Sequence, residues 1–270
     1  MPPSDWHSVT MSHVERKSRR VGLARMLSKL GYCSRSRAVE LVRAGRVAIN
    51  GETRRDPESP VREGRDVVSV DRREVHAPEK IYLMMNKPRG LVTTASDEKG
   101  RDTVYAVLEK SHESLPFVAP VGRLDKASEG LLLLTNDSEW AARITAPETN
   151  LEKTYHVQIA STDGERLAQA LEKGVALEDG ERLRAVRSCV LRLGEKNCWL
   201  EVVLDEGRNR QIRRMLSTLG VEVLRLLRVA IGPLVLGDLT KGNWRHLTKR
   251  EKAAIDRAVE STHLARPAHG

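Results

Sequence analysis

Residues 121–137 read VGRLDKASEGLLLLTND, and this run decides how the chain is built. Its four consecutive leucines, 131–134, predict a buried, fully apolar strand. Thr135-Asn136-Asp137 then supplies polar caps for a helix around Trp140 and Ile144. Upstream, Asp125 follows Arg123 in a loop bounded by Gly122 and Gly130. A carboxylate held at the mouth of a buried strand is well placed for nucleophilic or acid–base work. A surface turn whose aspartate merely hydrogen-bonds its own loop has the same spelling. The run alone leaves both open.

Working outward, residues 81–85 predict a strand that ends in the turn Asn86-Lys87-Pro88-Arg89-Gly90. Residues 153–159 alternate as a half-buried strand, and 167–171 are helical. A strand pair is expected over 186–193 and 199–204, a helix over 209–219, a strand over 221–227 and a closing helix over 248–259. Several helices follow two or more strands, so the fold class is α+β, with a mixed, mostly antiparallel sheet flanked by helices.

The N-terminal part has a different texture. Leu23, Met26, Leu27 and Leu30 recur at helical spacing, and Gly31 stops that helix. Ser34 caps a second helix carrying Ala38, Leu41 and Val42, which Gly45 ends. Residues 47–49 and 67–70 read as short strands, and Asn50-Gly51 is a hairpin signal. The expected organisation is a flexible lead-in over 1–21, a small module of two helices and a small sheet over 22–75, a linker over 76–79, a large domain over 80–250, and a helix end with a loose tail over 251–270. Met11 is a second candidate start.

Charge separates the two parts as well. The chain of 270 residues carries a formal +9, and the segment from Glu15 to Arg55 carries all of it. Arginine outnumbers lysine there, and its planar fork suits phosphate. Such a patch is the footprint of a polyanion binder. Three cysteines, Cys33, Cys189 and Cys198, lie far apart with no ligand spacing, which argues against a disulfide framework or zinc module and for a reducing, cytoplasmic compartment. No apolar signal core occurs in the first twenty residues, and no stretch is apolar enough to span a membrane. No phosphate-cradling glycine motif is present, and the histidines show no metal-pair spacing. No metal and no cofactor are expected.

The stretch LGYCSRSRAVELVRAGRVAINGE, residues 30–52, resembles the S4 RNA-binding domain, and the likeness covers roughly 22–75. That resemblance implies docking on structured RNA through the second helix and the following turn. Arg25, Arg35, Arg37, Arg43 and Arg46 are the expected phosphate contacts. Four further motifs occur in order: KPRGL from Lys87, GRLD ending at Asp125, EKTYHV from Glu152 and EGRNRQIRRM from Glu206. Together with the preceding module they resemble the RsuA/RluB group of pseudouridine synthases. Ser128 stands where that group usually has threonine, keeping the hydroxyl.

The resemblance implies roles residue by residue. Asp125 corresponds to the catalytic aspartate, a nucleophile toward the sugar. Tyr155 corresponds to the tyrosine that packs on the base and assists loss of the C5 proton. Arg213 corresponds to the basic residue that pairs with the aspartate. Arg123 fills the gap left by the flipped nucleotide, and Lys87, Arg208, Asn209, Arg210 and Gln211 are further expected RNA contacts. His156, next to Tyr155 on a strand, points to the opposite face.

The expected reaction is isomerisation of a specific uridine in ribosomal RNA, 23S favoured over 16S. The expected partner is that RNA or a subunit precursor, and the expected state a monomer. Two other readings stand beside it. A non-catalytic S4-type RNA-binding or ribosome-assembly factor would not require Asp125, Tyr155 and Arg213 together. A base-releasing glycosidase would normally need two carboxylates where the motifs offer one.

Overall fold

A computed structural model describes residues 20–94, 100–111 and 113–264 of the chain. The chain separates into two compact units between His76 and Ala77. In the first, β1 (Arg20–Gly22) leads into α1 (Leu23–Lys29) and α2 (Arg35–Arg43). Then follow β2 (Val47–Ile49), β3 (Glu52–Arg54), β4 (Pro60–Arg62), β5 (Val68–Val70) and β6 (Arg73–Glu74). The Ser34 hydroxyl accepts the Arg37 amide and starts α2 as its spelling predicts. Asn50 and Gly51 both take positive φ, 50° and 86°, the geometry a two-residue hairpin loop requires. Leu23, Leu27, Ala38, Val42 and Val47 close a core in which none of them is exposed.

One expectation for this unit is corrected. The lead-in does not reach Val21, because Arg20–Gly22 pairs antiparallel with Pro60–Arg62. The alternation that would have announced so short a strand is absent, and its partner lies forty residues downstream. The remainder of the lead-in, with Met11, lies outside the described residues.

In the second unit the elements are β7 (Tyr82–Lys87), α3 (Tyr105–Leu108), β8 (Ala119–Val121), β9 (Glu129–Thr135), α4 (Ser138–Thr145), β10 (Lys153–Ile159) and α5 (Gly164–Lys173). After them come β11 (Val175–Ala176), β12 (Arg182–Leu183), β13 (Arg187–Leu193), β14 (Cys198–Leu204), α6 (Gln211–Thr218), β15 (Val223–Ile231), β16 (Leu234–Val235), β17 (Trp244–His246) and α7 (Lys249–Leu264). The main sheet runs β13-β14-β10-β15-β9-β7-β17, and along it only the β15–β9 junction is parallel. This is the mixed, mostly antiparallel α+β sheet that the sequence predicts.

The four leucines of β9 are apolar throughout because the strand is covered on both faces. Leu131 and Leu133 pack with Trp140 and Ile144 of α4 and Ile255 and Val259 of α7. Leu132 and Leu134 face the other way, against Val104, Val107 and Leu108. A third cluster sets α5 and α6 against Val157, Leu200 and Val202. Each fully buried leucine contributes about 1.5–3 kcal/mol to the folded state.

The C-terminal boundary also shifts. Ile255 and Val259 belong to the core of this unit, so the helix beyond residue 250 is part of the domain and not an appendage. The Trp140 indole N–H donates to Asp256 at 2.8 Å and ties α7 to α4. The expected helix end over 251–270 reaches Leu264, where α7 ends, and the residues after it lie outside the described ones.

Candidate active site

The loop between β8 and β9 is held by its carbonyl groups. The Leu124 carbonyl accepts the Thr93 hydroxyl at 2.7 Å. The Asp125 carbonyl accepts the Ser128 amide at 2.9 Å and the Lys87 ammonium at 3.2 Å. The Lys126 carbonyl accepts the Gly90 amide at 2.8 Å, and the Ala127 carbonyl accepts Arg213 Nη2 at 3.1 Å. The Ser128 carbonyl accepts Lys87 again, at 2.9 Å. Five successive carbonyls are therefore bonded, and the loop is over-determined. With its backbone fixed, the Asp125 carboxylate is left at the wall of a cavity of about 570 Å³.

The cavity assembles the motifs. Arg123, Asp125, Tyr155, Arg208, Asn209, Arg210 and Gln211 all line it. Tyr155 stands on β10, which the main sheet sandwiches between β14 and β15. Arg123 is exposed.

Arg213 sits differently from the expectation that it pairs with the aspartate. Its guanidinium donates to the Ala127 and Val223 carbonyls at 3.1 and 3.4 Å. The ion pair of Asp125 is instead with Arg210, Nη1 to Oδ2, at 3.9 Å. Arg210 takes a left-handed φ of 49° just before α6 and lines the cavity with Asp125. Arg213, one turn further along, faces the loop backbone. Burial and the Arg210 charge pull the Arg213 guanidinium down from its usual value, while Asp125 opposes them.

Two expected RNA contacts are overturned by burial. Lys87 has no exposed surface, and its ammonium is spent on the carbonyls of Pro88, Asp125 and Ser128. Burial lowers its pKa to about 8, with the Asp125 and Glu129 charges opposing. Gln211 is 2% exposed and donates to the Arg184 carbonyl and to Glu206. Both residues hold the site together from inside. The sequence placed them in the right motifs, but a motif does not say which way a polar side chain points.

Other residues enter the site that the motif reading did not single out. Thr93, Lys153 and Arg228 surround the loop and the cavity floor. Asp205 and Glu206 also line the cavity, so Asp125 is not its only carboxylate. Glu206 is engaged by Arg208 at 2.8 Å and Gln211 at 3.0 Å. Counting carboxylates therefore does not separate an isomerase from a hydrolase here.

In the N-terminal unit Arg25, Arg35, Arg37, Arg43 and Arg46 are all exposed. Arg37 pairs with Glu40 at 2.7 Å, and Arg46 forks onto Asp71. Arg25, Arg35 and Arg43 have no ion-pair partner among the described residues. Among those residues, too, no helix is long and apolar enough to cross a membrane, and no three His, Cys, Asp or Glu side chains group as metal ligands would.

Comparison with known proteins agrees with this geometry. The profile of the family described as RNA pseudouridylate synthase matches residues 81–218, and that of the S4 domain matches residues 21–67. A protein of Aquifex aeolicus (strain VF5) named as an uncharacterized RNA pseudouridine synthase is 36% identical over 251 residues, which are 91% of this chain and 98% of that one. Ribosomal large subunit pseudouridine synthase B of Bacillus subtilis (strain 168) is 35% identical over 231 residues, 85% and 93% of the two chains. The solved crystal structure of a pseudouridylate synthase superimposes with a TM-score of 0.60 at 30% identity, covering 87% of this chain and 99% of that one.

Proposed function

The chain belongs to the RNA pseudouridylate synthase family, and on that footing we propose that it isomerises a specific uridine of ribosomal RNA with Asp125 as the nucleophile. Large-subunit RNA is the favoured substrate, supported by the likeness to the large-subunit synthase of Bacillus subtilis. The observation that carries the reading is the bonded loop. It presents a single carboxylate to a cavity shared with Tyr155, while five consecutive carbonyls hold its backbone still. Preorganisation of that kind is what a nucleophile at a sugar carbon requires.

The target uridine leaves its stack to reach a carboxylate that is only about a quarter exposed. Asp125 either adds to C1′ or removes the 2′ proton, and in both cases the N1–C1′ electron pair departs with the base. The uracil turns, C5 joins C1′, and loss of the C5 proton restores the aromatic ring. Tyr155 packs on the base and assists that last proton loss. Arg210 keeps a positive charge beside Asp125, and the arginines of the S4 unit bind RNA phosphates. The work, on ribosomal RNA or its precursor particle, belongs to the cytoplasm.

The test is pseudouridine mapping in ribosomal RNA from cells with and without this gene, repeated with Asp125→Asn. One or more large-subunit sites should vanish without the gene and stay absent with the variant, which should still bind RNA. Modification surviving in the Asp125→Asn cells would remove the nucleophile assignment. An unchanged pseudouridine map would favour an assembly factor.

A further inference from the structure

Two cations, Lys153 and Arg228, line the cavity beside Tyr155, and neither makes an ion pair with a carboxylate among the described residues. Arg228 lies opposite Tyr155 in the β10–β15 register and is 6% exposed. Its Nε donates to the Leu131 carbonyl at 2.8 Å, but its Nη2 is buried with no partner. Lys153 stands two residues before Tyr155 on β10, on the same face of the sheet. Its ammonium has a single long contact, 3.4 Å, to the Asp205 carbonyl. Burial, with the Arg228 charge beside it, holds the Lys153 pKa below the usual value, and only Asp205 opposes. A buried donor without an acceptor and two neighbouring like charges are both costly, and such costs persist where a ligand relieves them.

The chemistry of the reaction identifies that ligand. Whichever way Asp125 acts, the electron pair of the N1–C1′ bond goes to the uracil, which becomes an anion with its charge spread over N1 and the two carbonyl oxygens. We propose that Lys153 and Arg228 form a subsite for the uracil ring, donating to its carbonyl oxygens and stabilising the negative charge that bond cleavage places on the detached base. This rests on the isomerase reading given above. The same contacts keep the anion in the cavity while it turns. When C5 bonds to C1′ the electron pair returns to the sugar, Asp125 is regenerated, and the C5 proton is lost as N1 gains one. Donors aimed at charge that develops during the reaction act on the rate more than on binding.

A backbone phosphate would also satisfy two cations, and leaving-group chemistry separates the two. Single-turnover rates are measured with the substrate RNA carrying uridine or 5-fluorouridine at the target, by digestion and separation of nucleosides; the fluorinated base has no C5 proton to lose, so its rate is read as consumption of 5-fluorouridine, which reports cleavage of the N1–C1′ bond. Fluorine makes the detached base a weaker base that needs less stabilisation. Lys153→Met should slow the uridine reaction roughly 100-fold, the scale for losing one such donor, and the fluorinated one by about tenfold or less. Lys153→Arg should recover most of the rate, and Arg228→Lys should show the same preference for the fluorinated base. RNA affinity and its salt dependence should stay at wild-type values. Equal slowing on both RNAs would overturn the subsite. So would weaker, less salt-dependent binding with an unchanged saturating rate, which would assign the pair to phosphate. If the wild-type protein makes no pseudouridine at all, the reading beneath has failed; if it does and Lys153→Met keeps full rate, only the subsite has failed.

Discussion

The Lys87 ammonium donates to the Asp125 carbonyl at 3.2 Å while the carboxylate of the same residue faces the cavity. One side of the residue is anchored and the other is left for chemistry. Removing the anchor should therefore damage rate more than binding. Lys87→Met keeps the aliphatic volume but strips a donor from three buried carbonyls. The fold should survive with a loss of about 1–3 kcal/mol, the scale for a buried acceptor left unsatisfied and partly offset by removing a buried charge. Turnover should fall about 100-fold, as a displacement near 1 Å does. Urea midpoints and single-turnover rates measure the two effects, and a full rate in this variant would show that the loop stands without its lysine.

Lys87 also sets an expectation for pH. Its pKa is lowered to about 8 by burial, against 10.5 for a free lysine. Between those values the folded protein has lost a proton that the unfolded chain retains, so this group adds stability as pH rises. Activity should move the other way, because a neutral amine turns a lone pair toward one of its three carbonyls. A basic limb near pH 8 in the single-turnover profile, with no loss of thermal stability across it, is the expected result. A flat profile to about pH 9.5 would contradict it, since the linkage places the change below the free-lysine value.

Arg210 couples strain to function. Its left-handed backbone, φ 49°, is unfavourable for a residue with a side chain, yet it brings the guanidinium 3.9 Å from Asp125. Arg210→Gly should raise stability by about 0.5–1 kcal/mol through relief of that strain. The same change should lower turnover at least tenfold. Thermal melting and kinetics on one preparation check both signs, and a gain or loss in both together would break the argument.

Gly130 sits where β9 and β15 approach closely. A Cβ there would lie 2.2 Å from the Arg228 carbonyl oxygen, and φ is 102°. Gly130→Ala must part β9 from β15 at their parallel junction, so a loss above about 3 kcal/mol or insoluble protein is expected. A soluble variant with wild-type melting would show that the junction yields.

In the S4 unit, arginines with and without an acidic partner should behave differently. Neutralising Arg35 and Arg43 should reduce the log–log salt slope of RNA binding by about 0.7–0.9 for each phosphate they engage. Arg46→Gln should change it less, because Asp71 already engages that side chain. Equal slopes for all three variants would mean that the pairing has no bearing on RNA binding.

Local signals carried much of the fold. The Ser34 cap, the Asn50-Gly51 turn and the Lys153–Ile159 alternation act between near neighbours, so the sequence shows them directly. The short strands β1 and β17 were not legible, since each depends on a partner far along the chain: Pro60–Arg62 for one and β7 for the other. The closing helix was legible, but its place in the core was not. That depends on Trp140 and Ile144 lying in wait more than a hundred residues earlier.

The candidate site divides in the same way. By itself the sequence determined the family likeness, the α+β class, the basic N-terminal module and the motifs that meet at the cavity, because motif spacing and residue chemistry survive without coordinates. Only the tertiary structure decided what each polar side chain in those motifs touches. It turned Lys87 and Gln211 inward, gave Asp125 to Arg210 and not to Arg213, and set Arg228 and Lys153 side by side on the cavity floor. The physical reason is that a side chain's partners are fixed by which strands and loops meet. Those meetings join residues from Lys87 to Arg228 that no local pattern connects.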